Sequence, residues 1–195
     1  ELQGHGLTVS TGKYKAGGKD WECDIVIETA KRVIFLEIKK KSLTRAARAG
    51  MESALLIDIA ASLVSSTLQA MRHEEQLRQG PLVLTLKDGT LHTINLDGRE
   101  VERFAVTLHD YGGFQDRLLL QAILGVQMRL QFSTDDSGVK KKIEQINNAM
   151  MELRQVNKNL WMAAGSPSAW SPFKSSWFLS VPQILILLDG VTCAE

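Results

Sequence analysis

Two short apolar segments joined by a polar turn constrain the fold of this chain more than any other feature. The first segment spans residues 21–28 (WECDIVIE) and the second spans residues 33–41 (VIFLEIKKK). Both are rich in β-branched and apolar side chains without helical spacing, which predicts a β-hairpin. The turn is either a two-residue loop at Ala30 and Lys31 or a four-residue loop over residues 29–32, and both loops give the same strand register.

This register places Asp24 directly opposite Glu37. Directly opposed side chains of antiparallel strands lie about 4.5 to 5.5 Å apart at Cβ, and residues two apart on a strand share a face. We therefore expect Asp24, Glu37 and Lys39 on one face of the hairpin, with Glu22 as a further candidate. Two carboxylates so close repel each other unless a cation lies between them, and clustered oxygens suit a divalent ion such as Mg²⁺.

A surface hairpin that carries Glu and Lys on its exposed face is the ordinary alternative. Cross-strand charge pairs of that kind stabilise a sheet by only about 0.2 to 1 kcal/mol. Both strands are apolar on both faces, however, as in a sheet that is covered on both sides. Asp24 and Glu37 would then be buried, which is costly without a partner. The pattern therefore favours a metal site.

An Asp, a hairpin turn and then Glu-x-Lys resemble the core motif of the PD-(D/E)xK nuclease superfamily, which includes type II restriction enzymes, Holliday-junction resolvases and phage-type exonucleases. Asp24 matches the first acid, and Glu37 and Lys39 match the Glu-x-Lys. Cys23 stands where the motif name has Pro. The resemblance covers about residues 13–72. It implies an α/β fold of the restriction-endonuclease type, with a central mixed sheet flanked by helices.

The same resemblance implies metal-dependent hydrolysis of phosphodiester bonds in DNA. It assigns Mg²⁺, with Mn²⁺ as a substitute, to Asp24, Glu37 and the carbonyl group of Ile38. Lys39 would orient or deprotonate the attacking water and stabilise charge on the phosphorus. Two alternatives stay open: a catalytically silent nuclease fold that serves nucleic-acid binding or assembly in a larger protein, and a plain helical interaction domain with a structural hairpin.

Other residues invite a functional interpretation but receive no role. Gln69 lies on the next helix, as does a Gln in some exonuclease branches of the superfamily, but its spacing from Lys39 is long. The Tyr usual four residues later is replaced by His73. His109 beside Asp110 would suit a metal ligand or a general base, although a turn at the end of a strand is favoured. Two further acids, Glu52 and Asp58, are expected to be surface carboxylates.

Basic residues are concentrated after the motif, although the formal net charge of +1 does not itself indicate nucleic acid. We expect Lys40, Lys41, Arg45 and Arg48 to contact DNA phosphates. The two arginines are one helical turn apart, and the guanidinium group binds phosphate in bidentate fashion. Residues 140–142 (KKK) form a second cluster. The alternative for every such cluster is a solvated surface.

Composition and element pattern set the outer bounds. The chain has 195 residues, of which 44% are hydrophobic and 23% are charged, as in a soluble globular protein. We expect a nuclease-like α/β core over residues 1–132 and a helical extension over residues 133–195 that is part of a longer protein. The resemblance implies DNA as the partner, no membrane partner is expected, and a homodimer or further domains of the parent protein stay open.

Cysteine usage and apolar runs favour the cytoplasm. Cys23 and Cys193 are too few and too far apart to indicate a disulfide framework or a zinc site. The sequence as given starts with no signal peptide, and no apolar run reaches about 18 residues.

The spacing of apolar residues also predicts the main helices and a second hairpin. A helix is expected over residues 43–79, capped by Ser42 or Thr44 and interrupted near Gly50. Ser180 would cap a last helix. The remaining expected elements are a hairpin of residues 82–86 and 90–96, a strand over residues 104–108, and helices over residues 114–131 and 139–162.

Overall fold

A seven-stranded mixed sheet forms the centre of the protein, which is described here by a computed structural model covering residues 7–190. The strands are β1 (Thr8–Ala16), β2 (Lys19–Glu28), β3 (Arg32–Lys39), β4 (Leu82–Thr85), β5 (Leu91–Ile94), β6 (Glu100–Thr107) and β7 (Ser176–Ser180). Their order in the sheet is β5-β4-β1-β2-β3-β6-β7. β6 is parallel to both β3 and β7, and the other neighbours are antiparallel. The expected α/β class with a mixed sheet is confirmed.

Helices cover both faces of this sheet. The α-helices are α1 (Arg45–Arg48), α2 (Glu52–Ile59), α3 (Ser65–Gln79), α4 (Arg117–Gln127), α5 (Ser137–Ala163) and α6 (Val181–Gly190). A π-helical turn (Ala60–Val64) joins α2 to α3, and a short 3₁₀ helix (Gly112–Gln115) precedes α4. α3 packs on β3 and β6, and α5 packs on α3. The opposite face carries α6 over a smaller apolar cluster around Ile27, Leu36 and Val106.

The long helix begins and breaks where the sequence predicts. The Thr44 hydroxyl accepts a hydrogen bond from the N–H of Ala47 and caps α1. Gly50, with φ of +85°, separates α1 from α2, because a left-handed backbone costs glycine little. The helix Glu52–Gln79 is apolar and long enough to cross a membrane by length and composition, but 61% of its most apolar window is buried inside the protein. Its environment is that of a core helix.

The predicted register of the first hairpin is confirmed over its paired length. Ile25 pairs with Leu36 and Glu28 pairs with Val33. The N–H of Thr29 donates to the carbonyl oxygen of Arg32 at 2.9 Å, which closes a two-residue loop.

The part predicted as a helical extension also contributes to the sheet and the core. β7 lies within it and pairs with β6. Ile146, Met150 and Leu153 of α5 belong to the same buried cluster as Leu63 and Leu68 of the long helix segment. The structure therefore joins residues on both sides of position 132 in one hydrophobic core.

The predicted cap of the last helix is confirmed. The N–H of Ser180 donates to Gln183 Oε1 at 2.9 Å, and the N–H of Gln183 donates to Ser180 Oγ at 3.4 Å. This reciprocal pair is a capping box, and α6 begins at Val181.

Candidate functional site

A β-bulge in β2 sets the position of Asp24. Ser10 of β1 pairs with Val26, but Gly12 pairs with Cys23, so two residues of β2 lie opposite one residue of β1. A bulge of this kind changes the direction of the side chains beside it. Asp24 consequently lies against the backbone of β3, where its Oδ2 accepts the N–H of Ile38 at 2.8 Å.

Cys23 is the β2 side chain that joins Glu37 on the α3 side of the sheet. Cys23 is fully buried and belongs to an apolar cluster with Tyr14, Val26 and Phe35. Its sulfur lies within 4.8 Å of a carboxylate oxygen of Glu37 and of a ring nitrogen of His73. Asp24 is not part of this group. The expected pairing of two carboxylates on one face is therefore replaced by a thiol and a carboxylate, because the bulge shifts β2 by one residue.

Glu37 is held inside the protein by one hydrogen bond. Its side chain is 1% exposed, and its Oε1 lies 2.8 Å from Nε2 of His73, which is also 1% exposed. The other ring nitrogen, Nδ1, lies 2.7 Å from the hydroxyl group of Tyr14. The second carboxylate oxygen of Glu37, Oε2, is buried and has no hydrogen-bond partner in the part of the chain that the structure describes. A buried acceptor without a partner is costly.

Lys39 is fixed by the same helix. Its Nζ donates a hydrogen bond to Oε1 of Gln69 on α3, and its side chain is half-buried. Glu37 and Lys39 are therefore both on the α3 side of the sheet, as expected, and each contacts one polar residue of α3. The site thus includes Gln69 and His73, to which the sequence assigned no role.

Burial controls the protonation of two neighbouring groups. Burial raises the pKa of the Cys23 thiol well above its ordinary value, and the negative charges of Glu37 and Asp24 raise it further. Burial likewise raises the pKa of the Tyr14 hydroxyl, with Cys23 and Glu37 adding to the effect. Both groups are therefore neutral near pH 7 unless a cation compensates the charge.

The basic residues after the motif differ in their freedom to contact a ligand. Lys40, Arg45 and Arg48 are exposed. Lys41 is paired with Asp58 at 2.9 Å between Nζ and Oδ1. The expectation that Asp58 is a surface carboxylate is wrong, because its side chain is 2% exposed.

Asp58 is a structural anchor between the two helices that follow β3. Its Oδ2 accepts the N–H of Thr44 at 2.6 Å, at the start of α1. Burial raises the pKa of Asp58, but the hydrogen bonds from Thr44 and Lys41 outweigh burial and lower that pKa below its usual value. Glu52, by contrast, is exposed as expected.

His109 and Asp110 form a turn after β6. The carbonyl oxygen of His109 accepts the hydroxyl of Thr107 at 2.8 Å, and Oδ1 of Asp110 accepts the N–H of Gly112 at 2.6 Å. Both His109 and Asp110 are exposed. This is the strand-end turn that the sequence favoured. Within residues 7–190, the group of three potential metal ligands is Cys23, Glu37 and His73.

Comparisons of this chain with protein-family models, with curated proteins and with solved structures gave no match.

Proposed function

We propose that this protein is a metal-dependent nuclease that hydrolyses phosphodiester bonds in DNA, with Asp24, Glu37 and Lys39 at its active site. The observation that carries the proposal is the buried Oε2 of Glu37, which has no hydrogen-bond partner among residues 7–190 and lies two residues before the β3 lysine that contacts Gln69. A buried carboxylate with a free acceptor needs a cation or a donor to offset the cost of its burial.

The order of elements supports a restriction-endonuclease-like topology. The hairpin of β2 and β3 is followed by the long helix, by the hairpin of β4 and β5 and then by β6, which pairs in parallel with β3 over its whole length. This crossover places α3 directly over the Glu-x-Lys segment of β3. The hairpin of β2 and β3 and the helix α3 thus belong to both the proposed fold and the proposed active site.

The oxygen atoms of Asp24, Glu37 and Ile38 are of the type that a hard divalent ion binds, although the bulge leaves Asp24 outside the cluster of Cys23, Glu37 and His73. Asp24 lies against the Ile38 backbone, and Glu37 is the preceding residue of β3. Carboxylate and carbonyl oxygens are the usual ligands of Mg²⁺ and Mn²⁺, so Asp24, Glu37 and the carbonyl group of Ile38 would hold the ion. When bound, such an ion polarises a phosphate and lowers the pKa of a bound water.

Lys39 supplies the positive charge of the proposed site. Its ammonium group is anchored by the side-chain oxygen of Gln69, which limits the positions that Nζ can take. A pre-positioned ammonium stabilises negative charge that develops on a phosphate without the cost of reorienting solvent. Lys39 would also orient or deprotonate the attacking water, and Gln69 acts by positioning Lys39.

Accessible basic residues beside the site would bind the DNA backbone. Lys40, Arg45 and Arg48 are exposed and can contact phosphates. The ammonium group of Lys41 is paired with Asp58, and this pair would hold Lys41 beside the other basic residues. Contacts to phosphates give affinity and position rather than sequence specificity. We place this activity in the cytoplasm, with DNA as the partner, and a homodimer or further domains of a longer protein are compatible with it.

A catalytically silent nuclease fold is the second candidate, and one observation favours it. Oε1 of Glu37 is bonded to His73, and Oδ2 of Asp24 accepts a backbone N–H, so protein groups already satisfy one oxygen of each carboxylate. In that case the fold would bind nucleic acid or assemble with other proteins without cutting DNA.

Cleavage assays with matched lysine variants distinguish the two candidates. The substrates are supercoiled plasmid, linear duplex and a single-stranded oligonucleotide, each with Mg²⁺, with Mn²⁺ or with EDTA. We expect cleavage with the metals, loss of cleavage in Asp24→Asn and Lys39→Ala, and wild-type cleavage in Lys15→Ala, whose side chain is 85% exposed at the far end of β1. DNA binding without cleavage under every condition would leave the silent fold as the better account.

A further inference from the structure

We propose that Cys23, Glu37 and His73 form a binding site for a borderline transition-metal ion, with Zn²⁺ as the expected occupant. The site lies between β2, β3 and α3, and its ligand atoms are Cys23 Sγ, a carboxylate oxygen of Glu37 and Nε2 of His73. It differs in ligand type from the proposed Mg²⁺ site. It also goes beyond the proposed nuclease function and stands without it.

The three side chains are close together and shielded from water. Their ligand atoms lie within 4.8 Å of one another, and Cys23, Glu37 and His73 are 0%, 1% and 1% exposed. Zinc bonds of about 2.0 to 2.3 Å put two tetrahedral ligands roughly 3.3 to 3.7 Å apart. Side-chain movements of about 1 Å would therefore bring these three ligands to zinc-binding distances.

One ligand residue of this cluster has an unsatisfied polar atom. Oε2 of Glu37 is buried without a hydrogen-bond partner, and His73 is the one salt-bridge partner of Glu37 found among residues 7–190. His73 contacts only one of the two carboxylate oxygens of Glu37. A divalent ion bound to both residues would place positive charge beside the carboxylate and provide a partner for the free oxygen.

The ligand types select zinc over magnesium. Sulfur and imidazole nitrogen are ligands for Zn²⁺ and related transition metals, whereas Mg²⁺ prefers oxygen. The sequence gives no sign of the site, because its three ligands come from two strands and a helix and lack the short spacing of a zinc motif. The fold alone brings Cys23, Glu37 and His73 together.

Tyr14 provides the outer hydrogen bond that a metal-binding histidine needs. Its hydroxyl group lies 2.7 Å from Nδ1 of His73. Metal-bound histidines nearly always donate the N–H of the other ring nitrogen to such a partner, which fixes the tautomer and the ring orientation. With zinc at Nε2, the imidazole proton would be on Nδ1 and would be donated to the Tyr14 oxygen. The thiol proton of Cys23 is released to solvent, and the hydrogen bond between His73 and Glu37 is replaced by two bonds to the ion.

Glu37 would belong to both metal sites. Zinc bound to Glu37 withdraws that carboxylate from Mg²⁺, so zinc is expected to inhibit DNA cleavage. This consequence rests on the proposed nuclease function, whereas the zinc site itself does not.

Cobalt titration tests the site directly. The chain has 2 cysteines, so Cys193→Ser leaves Cys23 as the single thiol. Co²⁺, an optical substitute for Zn²⁺, is added to the metal-free protein. We expect one equivalent to produce a thiolate-to-cobalt charge-transfer band in the near ultraviolet and intense visible bands of a tetrahedral ion, and Zn²⁺ to abolish both. Cys23→Ala and His73→Phe should remove the near-ultraviolet band, and Asp24→Asn should leave it unchanged.

Two results would overturn the inference: no charge-transfer band in the single-thiol protein, or an unchanged band in folded Cys23→Ala. Circular dichroism checks the fold of each variant, and the result for the single-thiol protein decides the question even if a variant fails to fold. The outcome is separate from the nuclease proposal. Cobalt binding without cleavage would contradict the nuclease alone, and cleavage without cobalt binding would contradict the zinc site alone.

Discussion

The ammonium group of Lys39 on β3 donates a hydrogen bond to the side-chain oxygen of Gln69 on α3. Glu37, two residues before Lys39 on β3, contacts His73, four residues after Gln69 on α3. The two spacings match, because two strand residues span about 6.6 Å and four helix residues rise about 6 Å. The helix runs antiparallel to β3 at this point. Each polar residue of the Glu-x-Lys segment is therefore matched with one polar residue of α3.

Removal of the Lys39 ammonium should abolish cleavage without preventing metal binding. We expect Lys39→Ala to cut at least about 100-fold more slowly, since a positioned catalytic group contributes roughly that much. Gln69→Ala should reduce the rate less, by about 10-fold, because the lysine remains but is less well placed. The exposed Gln79 on the same helix provides the control Gln79→Ala. The measurement compares steady-state cleavage rates of the variants and wild type. Equal rates for Lys39→Ala and wild type would show that Lys39 has no catalytic role.

The contact between Glu37 and His73 should also stabilise the fold. Glu37→Ala leaves the buried imidazole without its partner, which costs about 1 to 3 kcal/mol. Glu37→Gln retains an acceptor for Nε2 and should destabilise the protein less. Urea unfolding of both variants measures the difference, with the exposed Glu22→Ala as a control that should stay within about 0.5 kcal/mol of wild type. Equal stability of Glu37→Ala and wild type would mean that this hydrogen bond contributes nothing.

Asp58 should make stability depend on acid pH. Its folded pKa is lowered by Thr44 and Lys41, whereas an unfolded aspartate titrates near about 3.9. Asp58 therefore stabilises the folded state fully above that value, and the contribution is lost as the pH falls through the folded pKa. Asp58→Asn should cost about 1.5 to 3 kcal/mol at pH 7, the usual range for hydrogen bonds to a charged group.

The measurement is urea unfolding of wild type and Asp58→Asn at a series of pH values. The difference between the two proteins should shrink as the pH drops below about 4. Glu52→Gln, on the exposed surface of α2, is the control and should show no such trend. A difference that stays constant down to about pH 2 would contradict the role given to the Asp58 carboxylate.

The arginines of α1 should account for part of the salt dependence of DNA binding. Removal of one phosphate-binding side chain lowers the slope of log K against log salt by about 0.9 on duplex DNA. Replacing Arg45 and Arg48 together with Ala should thus flatten the slope by about one to two units, with little change in sequence preference. Fluorescence anisotropy with a short duplex across a salt series measures it. The lysines of residues 140–142, exposed on α5, form the matched control, and a larger effect of their replacement would place the DNA along α5.

Gly12 should be required at the bulge because a side chain there would collide with β4. A Cβ at this position would lie 2.7 Å from the carbonyl oxygen of Thr85 and 3.2 Å from Cβ of Leu84. Since the oxygen belongs to the backbone of β4, we expect Gly12→Ala to destabilise by about 1 to 3 kcal/mol. Gly125→Ala on α4 meets no atom within 4 Å and should be neutral or stabilising by up to about 1 kcal/mol. Thermal unfolding compares the two, and similar melting temperatures would refute the steric argument.

Local patterns in the sequence predict the main elements of the core. The register of the first hairpin follows from its short turn and the apolar strands, and the break at Gly50 follows from a glycine in a helical pattern. β7 is not predicted, because five residues of strand precede α6 directly and its partner β6 lies far away in the sequence.

The site is predicted less completely, because its geometry depends on tertiary contacts. The sequence does not mark the extra residue that forms the bulge, so Asp24 is expected where Cys23 lies. His73 and Gln69 are four residues apart, which indicates one helix face, but that spacing cannot show which strand the face meets. Asp58 resembles a surface acid in the sequence because the fold alone brings its partner Lys41 to it.

The π-helical turn Ala60–Val64 precedes Gln69 and His73 on one continuous helix. Such a turn holds one more residue than an α-helical turn, and one residue corresponds to about 100° of rotation around the axis. The turn therefore sets the rotational phase of α3, which means that it determines which side chains of α3 face β3. Two helices of identical length and apolarity would present different residues to β3 if only one contained this turn, and the polar contacts of Glu37 and Lys39 depend on that phase.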